Sequence, residues 1–246
     1  MTKQRLDLLL VARGLAESRT KAQALIMAGL VYHGEQKLDK AGAEFAEDME
    51  LSVRGREHPW VSRGGMKLAK AIEHFSLDVK GAIAMDVGAS TGGFTDVLLT
   101  HGVAKVYAVD VGHGQLDVKL RNDARVVVME ETNARHLTSE MVSDALDVIV
   151  CDASFISLTK VLPAVLALAK ARAQLVTLIK PQFEVGKVEV SRGKGVIRDT
   201  ALHQQVCRDI SEWVATQGWH VVGITESPIT GPKGNVEFLL YARKGE

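Results

Sequence analysis

The chain has 246 residues, 46% of them hydrophobic, and its 30 basic and 30 acidic side chains cancel. That length can bury one large α/β core plus a small appended domain, and the even charge excludes a global cationic field, so any nucleic-acid site has to be local. Cys151 and Cys207 lie far apart, with neither a C-x-x-C pair nor zinc-type His spacing, which argues against disulfides and structural metal and for a reduced, cytoplasmic compartment.

The opening Met1-Thr2-Lys3-Gln4-Arg5 leads into a leucine-rich stretch broken by Asp7 and Arg13, which is not the pattern of a signal peptide. Residues 5 to 34 read as helix, turn, helix, turn, strand. Leu6, Leu9 and Leu10 recur at helical spacing, Gly14 stops the first helix, Ser18 caps the second, and Gly29 ends it before Leu30-Val31-Tyr32-His33-Gly34. Arg5, Arg13, Arg19 and Lys21 fall on this unit, opposed by Asp7 and Glu17, whereas Asp39 to Glu50 is acidic. Taken alone, such cations describe a solvated face. The run Arg5-Leu6-Asp7, Gly14, Ser18-Arg19, Ala22, Ile26, Gly29, Val31 and Gly34 resembles the S-four-type RNA-binding module, a small α+β domain. That resemblance implies that its basic residues meet RNA phosphates.

Arg54 to Arg63 has no periodicity and holds Pro59 and Trp60, so it reads as a linker in which the Trp packs between the domains rather than stacking on a base. The expected domains are 1–58 and 64–246, joined by 59–63. Lys67, Leu68, Ala71, Ile72 and Phe75 then have helical spacing. From Ala82 onward strands and helices alternate, with strands expected at 82–87, 104–110, 125–129, 146–152, 174–180, 219–225 and 235–242. Helices are expected at 94–101, 158–170 and 202–217. The apolar stretch 161–179 carries Lys170, Arg172 and Gln174, which suits a helix followed by a strand and not a membrane span. Near-continuous apolar strands such as Leu146-Asp147-Val148-Ile149-Val150-Cys151 require a sheet covered on both faces. The expected fold is therefore α/β, a doubly wound sheet of seven strands. Ser227 to Gly234 is too short for a helical crossover, so the last strand should run antiparallel.

The first strand-to-helix turn is the usual ligand site of such sheets. Here Asp86-Val87-Gly88-Ala89-Ser90-Thr91-Gly92-Gly93-Phe94-Thr95 has neither the G-x-G-x-x-G spacing of a dinucleotide site nor the lysine of a P-loop. Its glycines let backbone approach a ligand, and Asp110, ending the second strand, is placed for ribose hydroxyls. An acid after strand one, an open glycine turn and an acid after strand two resemble the S-adenosylmethionine site of Rossmann-like class I methyltransferases. Four ionisable residues stand where a site could assemble: Lys67 in the leading helix, Asp152 and Lys180 ending two central strands, and Glu237 in the seventh. Surface ion pairs are common and contribute little, but charges at the ligand-binding edge have to be used or neutralised.

The segments Ser62-Arg63-Gly64-Gly65-Met66-Lys67-Leu68, Asp86 to Thr95, Asp110 to Leu116, Thr132-Asn133-Ala134-Arg135, Asp152 to Ser157, Lys180 to Lys187 and Gly234-Asn235-Val236-Glu237 resemble the TlyA family, often labelled haemolysin A. That family joins an S-four module to an FtsJ-type methyltransferase domain. The resemblance implies 2′-O-methylation of a cytidine ribose in ribosomal RNA, with a K-D-K-E tetrad at Lys67, Asp152, Lys180 and Glu237. The cofactor residues it suggests are Asp86, Gly88, Ala89, Ser90, Gly92, Gly93, Asp110, Val111, Asn133, Ala134 and Asp152. Arg5, Arg13, Arg19, Lys21, Arg63, Arg135 and Lys187 are the RNA-binding candidates. The short C-terminus suits the subtype that modifies large-subunit RNA. The expected partner is a ribosomal subunit or its RNA, without membrane or metal, and with a monomer favoured.

A ribose hydroxyl is a poor nucleophile, so the site must orient it and remove its proton. Lys180 is the candidate base, with Asp152 orienting it and Lys67 with Glu237 positioning the hydroxyl. An ordinary lysine has a pKa of about 10.4. Burial and Lys67 favour the neutral amine, while Asp152 and Glu237 oppose it. The segment from Phe183 to Arg198, with Gly186, Gly193 and Gly195 beside several cations, reads equally as a lid over RNA or a solvated loop. Three other functions stand against this one: a non-catalytic RNA-binding assembly factor, disfavoured by the intact turn and tetrad; a pore-forming haemolysin, disfavoured by the lack of a signal peptide, membrane span or amphipathic cationic helix; and a small-molecule methyltransferase, disfavoured by the RNA module.

Overall fold

The computed structural model describes residues 3–16, 18–54 and 58–245, without the side chains of residues 187, 188 and 192. The chain forms two compact units, Met1–Pro59 and Trp60–Glu246. In the first, strand β1 (Lys3–Arg5) leads into helices α1 (Leu6–Ala12) and α2 (Arg19–Met27), followed by β2 (Val31–His33), β3 (Gln36–Lys37), β4 (Glu44–Ala46) and β5 (Ser52–Val53). Antiparallel pairing joins β1 to β4 and sets β2 between β3 and β5. The expected helical stripe is buried: Leu6, Leu9, Leu10, Ala22, Ile26 and Val31 form the core. Ser18 Oγ accepts the Lys21 amide at 3.2 Å and caps α2.

Among the described residues this small core contains one charge. Asp7 is fully buried, and its carboxylate accepts from Arg5 Nε and Nη2 at 3.0 and 2.9 Å, Arg19 Nε at 2.9 Å and Gln23 Nε2 at 2.8 Å. A buried carboxylate is tolerated only with such partners. Thus Asp7 does not simply offset Arg5 and Arg19, as its position in sequence suggests; it fixes both guanidinium groups.

The second unit opens with α3 (Gly65–Phe75) and continues through β6 (Ile83–Val87), α4 (Gly93–Thr100), β7 (Lys105–Val109), α5 (Val118–Arg121) and β8 (Val126–Met129). It continues with β9 (Leu146–Cys151), α6 (Leu158–Ala167), β10 (Ala169–Ile179), α7 (Pro181–Glu184), α8 (Lys187–Arg192), α9 (Thr200–Thr216), β11 (Trp219–Glu226) and β12 (Phe238–Lys244). The sheet has seven strands in the order β11-β12-β10-β9-β6-β7-β8. Strands β6 to β10 are parallel neighbours, and β12 runs antiparallel to both β10 and β11, as the short preceding connection requires. Apolar clusters cover both faces, one including Leu162, Val165, Val206 and Ile210, the other Leu68, Phe94, Val97 and Leu98. Strand order reverses between β6 and β9, which opens a crevice at their carboxyl ends.

Three expectations are corrected. Helix α6 stops at Ala167, and β10 starts already at Ala169, with a register break between Ala169 and Gln174. The Phe183–Arg198 segment is not an open loop. It holds α7 and α8, and Val196 and Ile197 are buried under the side chain of Asn235, which accepts the Ile197 amide and donates to Gly195 O. Glu237 precedes β12 rather than lying within it. Trp60 packs on the α3–α4 cluster of its own unit, its ring 6.3 Å from His101. Among the described residues no helix is long and apolar enough to cross a membrane.

Because the Arg5 bonds hold the Asp7 carboxyl well below the usual range, its stabilising contribution is present above the unfolded pKa of about 3.9 and is lost as pH falls through the depressed native value. Asp7→Ala should speed hydrogen exchange of α1 amides at pH 7, with a stability loss of about 1–3 kcal/mol. Its difference from wild type should shrink on acidification. A pH-independent difference would contradict this account.

Candidate active site

Strand β6 ends in the glycine turn. Gly88 has φ +81°, and a Cβ there would lie 3.1 Å from the backbone of Asp152 and Ala153, so this position needs glycine twice over. Ser90 is also left-handed, and its amide donates to Asp110 Oδ2 at 2.8 Å. The other Asp110 oxygen takes the Gly112 amide at 2.7 Å. Asp86 is turned inward: its Oδ2 accepts from Thr95 N at 2.9 Å and Thr95 Oγ1 at 2.7 Å, fastening the first turn of α4, while Oδ1 is buried without a partner.

Two adjoining clefts flank this turn. One, of about 440 Å³, has apolar walls from Val87, Val109, Val111, Ala134 and Ile156, with Asp110 and Asn133 among its polar lining. The other, of about 240 Å³, is lined by Lys67, Asp86, Asp152, Lys180 and Glu237 together with Ser62 and Arg63. Gly88, Ser90, Asp152 and Ser154 border both.

The four charged residues expected from sequence come together there. Lys67, in the first turn of α3, donates to Asp152 Oδ2 at 3.1 Å and Glu237 Oε2 at 2.7 Å. Lys180 Nζ lies 2.6 Å from Asp152 Oδ1 and donates to Ser154 Oγ at 2.9 Å. Lys67, Lys180 and Glu237 are 7%, 6% and 1% exposed, so each ion depends on the others for compensation. Glu237 Oε1 remains buried without a hydrogen-bond partner, close to Gly231, where a Cβ would collide with it. Cys151, beside Asp152, is no nucleophile, because burial pushes its thiol up to about 12.

Other candidates are spread more widely. Ala89 and Gly93 line the smaller cleft, whereas Gly92 faces Leu116 and Leu120 and serves the turn itself. Asn133 accepts the Arg135 amide at 3.1 Å and shapes the turn that carries Ala134. Arg63 reaches the smaller cleft and donates to Thr230 O at 3.3 Å; Arg135 stands exposed at the larger one. Arg13 donates to Met49 O at 2.6 Å and to Glu47 O, and Lys21 is exposed. The Lys187 side chain lies outside the described residues. Sequence reasoning did not single out Ser154, although it sits two residues after Asp152 and holds Lys180. It also passed over Phe155, which is 89% exposed at φ +64° with its ring 5.1 Å from Phe183.

Burial pushes the Asp86 carboxyl up to about 7, against the two Thr95 bonds, with the charges of Asp152 and Asp110 acting in the same direction as burial. A raised native value means that the stability gained by protonation is complete below about 3.9 and lost as pH rises through about 7. Asp86→Asn, whose amide oxygen can still accept from Thr95, should be most stabilising relative to wild type at pH 8, by up to a few kcal/mol, and least at pH 4. Parallel urea titrations at the two pH values test this; equal differences at both would refute it.

Comparison with known proteins bears on this geometry directly. Residues 60–244 match the model of the FtsJ-like methyltransferase family, and residues 4–51 match the S4 domain. The chain is 48% identical over 242 residues to the Mycobacterium tuberculosis 16S/23S rRNA (cytidine-2′-O)-methyltransferase TlyA, covering 98% of this chain and 90% of that one. It is 44% identical over 238 residues to a Brachyspira hyodysenteriae protein named Hemolysin A, covering 96% and 98%. A solved structure from Streptococcus thermophilus, described as a candidate hemolysin, superposes with a TM-score of 0.77 at 41% identity over 100% of this chain and 90% of that one. With a seven-stranded sheet, a charged cleft at its switch point and these relatives along nearly its whole length, the chain belongs to the FtsJ-like methyltransferases that carry an N-terminal S4 domain, the group that includes TlyA.

Proposed function

We propose that this enzyme uses S-adenosylmethionine to methylate the ribose 2′-hydroxyl of a cytidine in ribosomal RNA, with the large subunit as its principal substrate. The observation that carries this reading is the lysine–carboxylate chain Lys180–Asp152–Lys67–Glu237, placed where the two clefts meet. The names of the TlyA relatives supply the substrate class. In this reading residues 1–58 and 64–246 are the RNA-binding and catalytic domains, with 59–63 between them.

The larger cleft fits the cofactor. Its volume is within the ordinary range for a small molecule, its walls are apolar, and Asp110 and Asn133 offer polar atoms suited to a nucleoside. No P-loop lysine or G-x-G-x-x-G turn is present to grip phosphate. The unpartnered oxygens Asp86 Oδ1 and Glu237 Oε1 in the smaller cleft suit a ligand that brings donors or positive charge. When bound, S-adenosylmethionine supplies an electrophilic methyl group on a sulfonium.

The residues of the chain do the rest. Lys180, at rest the ammonium partner of Asp152, first gives one proton to solvent once cofactor and RNA are in place, and its neutral Nζ then receives the hydroxyl proton. Asp152 and Ser154 hold that amine in place, and Lys67 keeps Asp152 and Glu237 in register. Lys67 and Glu237 position the ribose hydroxyl so that its single proton faces Lys180 Nζ, which contributes through orientation. Arg5, Arg13, Arg19 and Lys21 of the first unit contact RNA phosphates, and Arg63 and Arg135 of the second guide the strand to the cleft.

Lys180→Ala should lower the single-turnover methyl-transfer rate by about 100-fold or more and flatten its pH profile; undiminished transfer by this variant would defeat the assignment. Ribose-methylation mapping in cells with and without the gene should show one cytidine site lost from ribosomal RNA. Unchanged maps would refute the proposed substrate.

A further inference from the structure

The loop after β7, Asp110 to Asp117, grips the glycine turn at three points. The Ser90 amide donates to Asp110 Oδ2, the Asp117 amide donates to Thr91 O at 3.1 Å, and Leu116 and Leu120 pack where Gly92 has no side chain. Asp110, Val111 and Gln115 of the same loop line the larger cleft. A segment so rich in glycine has little structure of its own, since Gly112 and Gly114 leave it free to take many conformations. Beyond the Asp110–Gly112 bond, its shape is set by a group outside it.

That group is Glu130, which follows β8 and is not among the residues lining either cleft. Its Oε2 accepts the Gly114 amide at 2.8 Å, and its Oε1 accepts the Gln115 and Leu116 amides at 2.8 and 3.1 Å. Arg121 Nη2, from α5, closes the set at 2.7 Å from Oε1. Three successive amides thus converge on one carboxylate, the arrangement that backbone uses elsewhere to hold a bound anion. Here a side chain of the chain itself supplies the anion. We infer that Glu130 is a positioning residue for the cofactor: it shapes the 112–116 turn and, through that turn, the wall of the larger cleft and the grip on the glycine turn.

The electrostatics agree. The Arg121 guanidinium, together with the amides, holds the Glu130 carboxyl down at about 2, so the clamp stays charged wherever the protein is folded and working. Hydrogen bonds to an ionised acceptor are the strong kind. Loss of the carboxylate would leave the three amides competing for water and the loop free to sample other shapes, a cost paid at the cofactor step and not at the chemical one.

This inference rests on the reading of the larger cleft as the cofactor site, and the test separates the two. Binding of S-adenosylhomocysteine to the full-length protein is measured calorimetrically for wild type, Glu130→Ala and the milder Glu130→Gln, which keeps one acceptor oxygen. Methyl-transfer kinetics on unmethylated ribosomal RNA follow. Glu130→Ala should weaken binding and raise KM for S-adenosylmethionine at least tenfold, with Glu130→Gln in between. The KM for RNA and the kcat at saturating cofactor should stay within twofold of wild type, a split that general loss of structure would not produce. Wild-type binding with unaltered affinity in both variants overturns the inference alone, as does a parallel rise in the KM for RNA. No binding by wild type overturns the cleft reading and the inference with it. Should Glu130→Ala fail to fold, the Glu130→Gln values decide.

Discussion

The carboxylate of Asp152 is the point on which the second unit depends. Lys180 holds one of its oxygens and Lys67 the other, and Lys67 continues to Glu237. Four ionised groups at the bottom of a cleft are stable only as a set, because each would be costly to bury alone. The requirement reaches far into the fold. Strand β9 must end beside β10 to pair Asp152 with Lys180, and α3 must lie against the sheet to bring in Lys67.

Glu237 is the member whose placement depends most on topology. It stands immediately before its strand, and in a parallel strand that end would lie at the opposite edge of the sheet from Asp152. Strand β12 runs antiparallel to β10, with Phe238 opposite Ile179, so its beginning faces the carboxyl edge. The reversed strand therefore supplies a carboxylate where its parallel neighbours deliver only their last residues. Gly231 makes room for that carboxylate by lacking a side chain.

The first unit shows the same economy on a smaller scale. Asp7 buries one charge to fix two arginines whose outer atoms remain exposed, at side-chain exposures of 40% and 54%. Guanidinium groups held this way keep little rotational freedom. Glu130 does for backbone amides what Asp7 does for side chains.

Much of this was readable in the amino-acid order. Apolar runs such as 146–151 dictate a sheet buried on both faces, the eight residues from Ser227 to Gly234 forbid a crossover helix, and the glycine turn without a phosphate grip narrows the ligand. These are local properties, set by periodicity, loop length and backbone freedom, and they survive without knowledge of distant partners. The roles of Ser154, Glu130 and Asp7 were not readable, nor was the buried end of the 183–198 segment under Asn235. Each is a polar residue whose meaning lies in a partner far along the chain or across a turn, and a carboxylate in sequence looks the same whether it faces water or three amides. The chain by itself determined which chemistry could be assembled; only the folded structure decided which charges meet, because pairing energy depends on distance and burial, and neither is written along the chain.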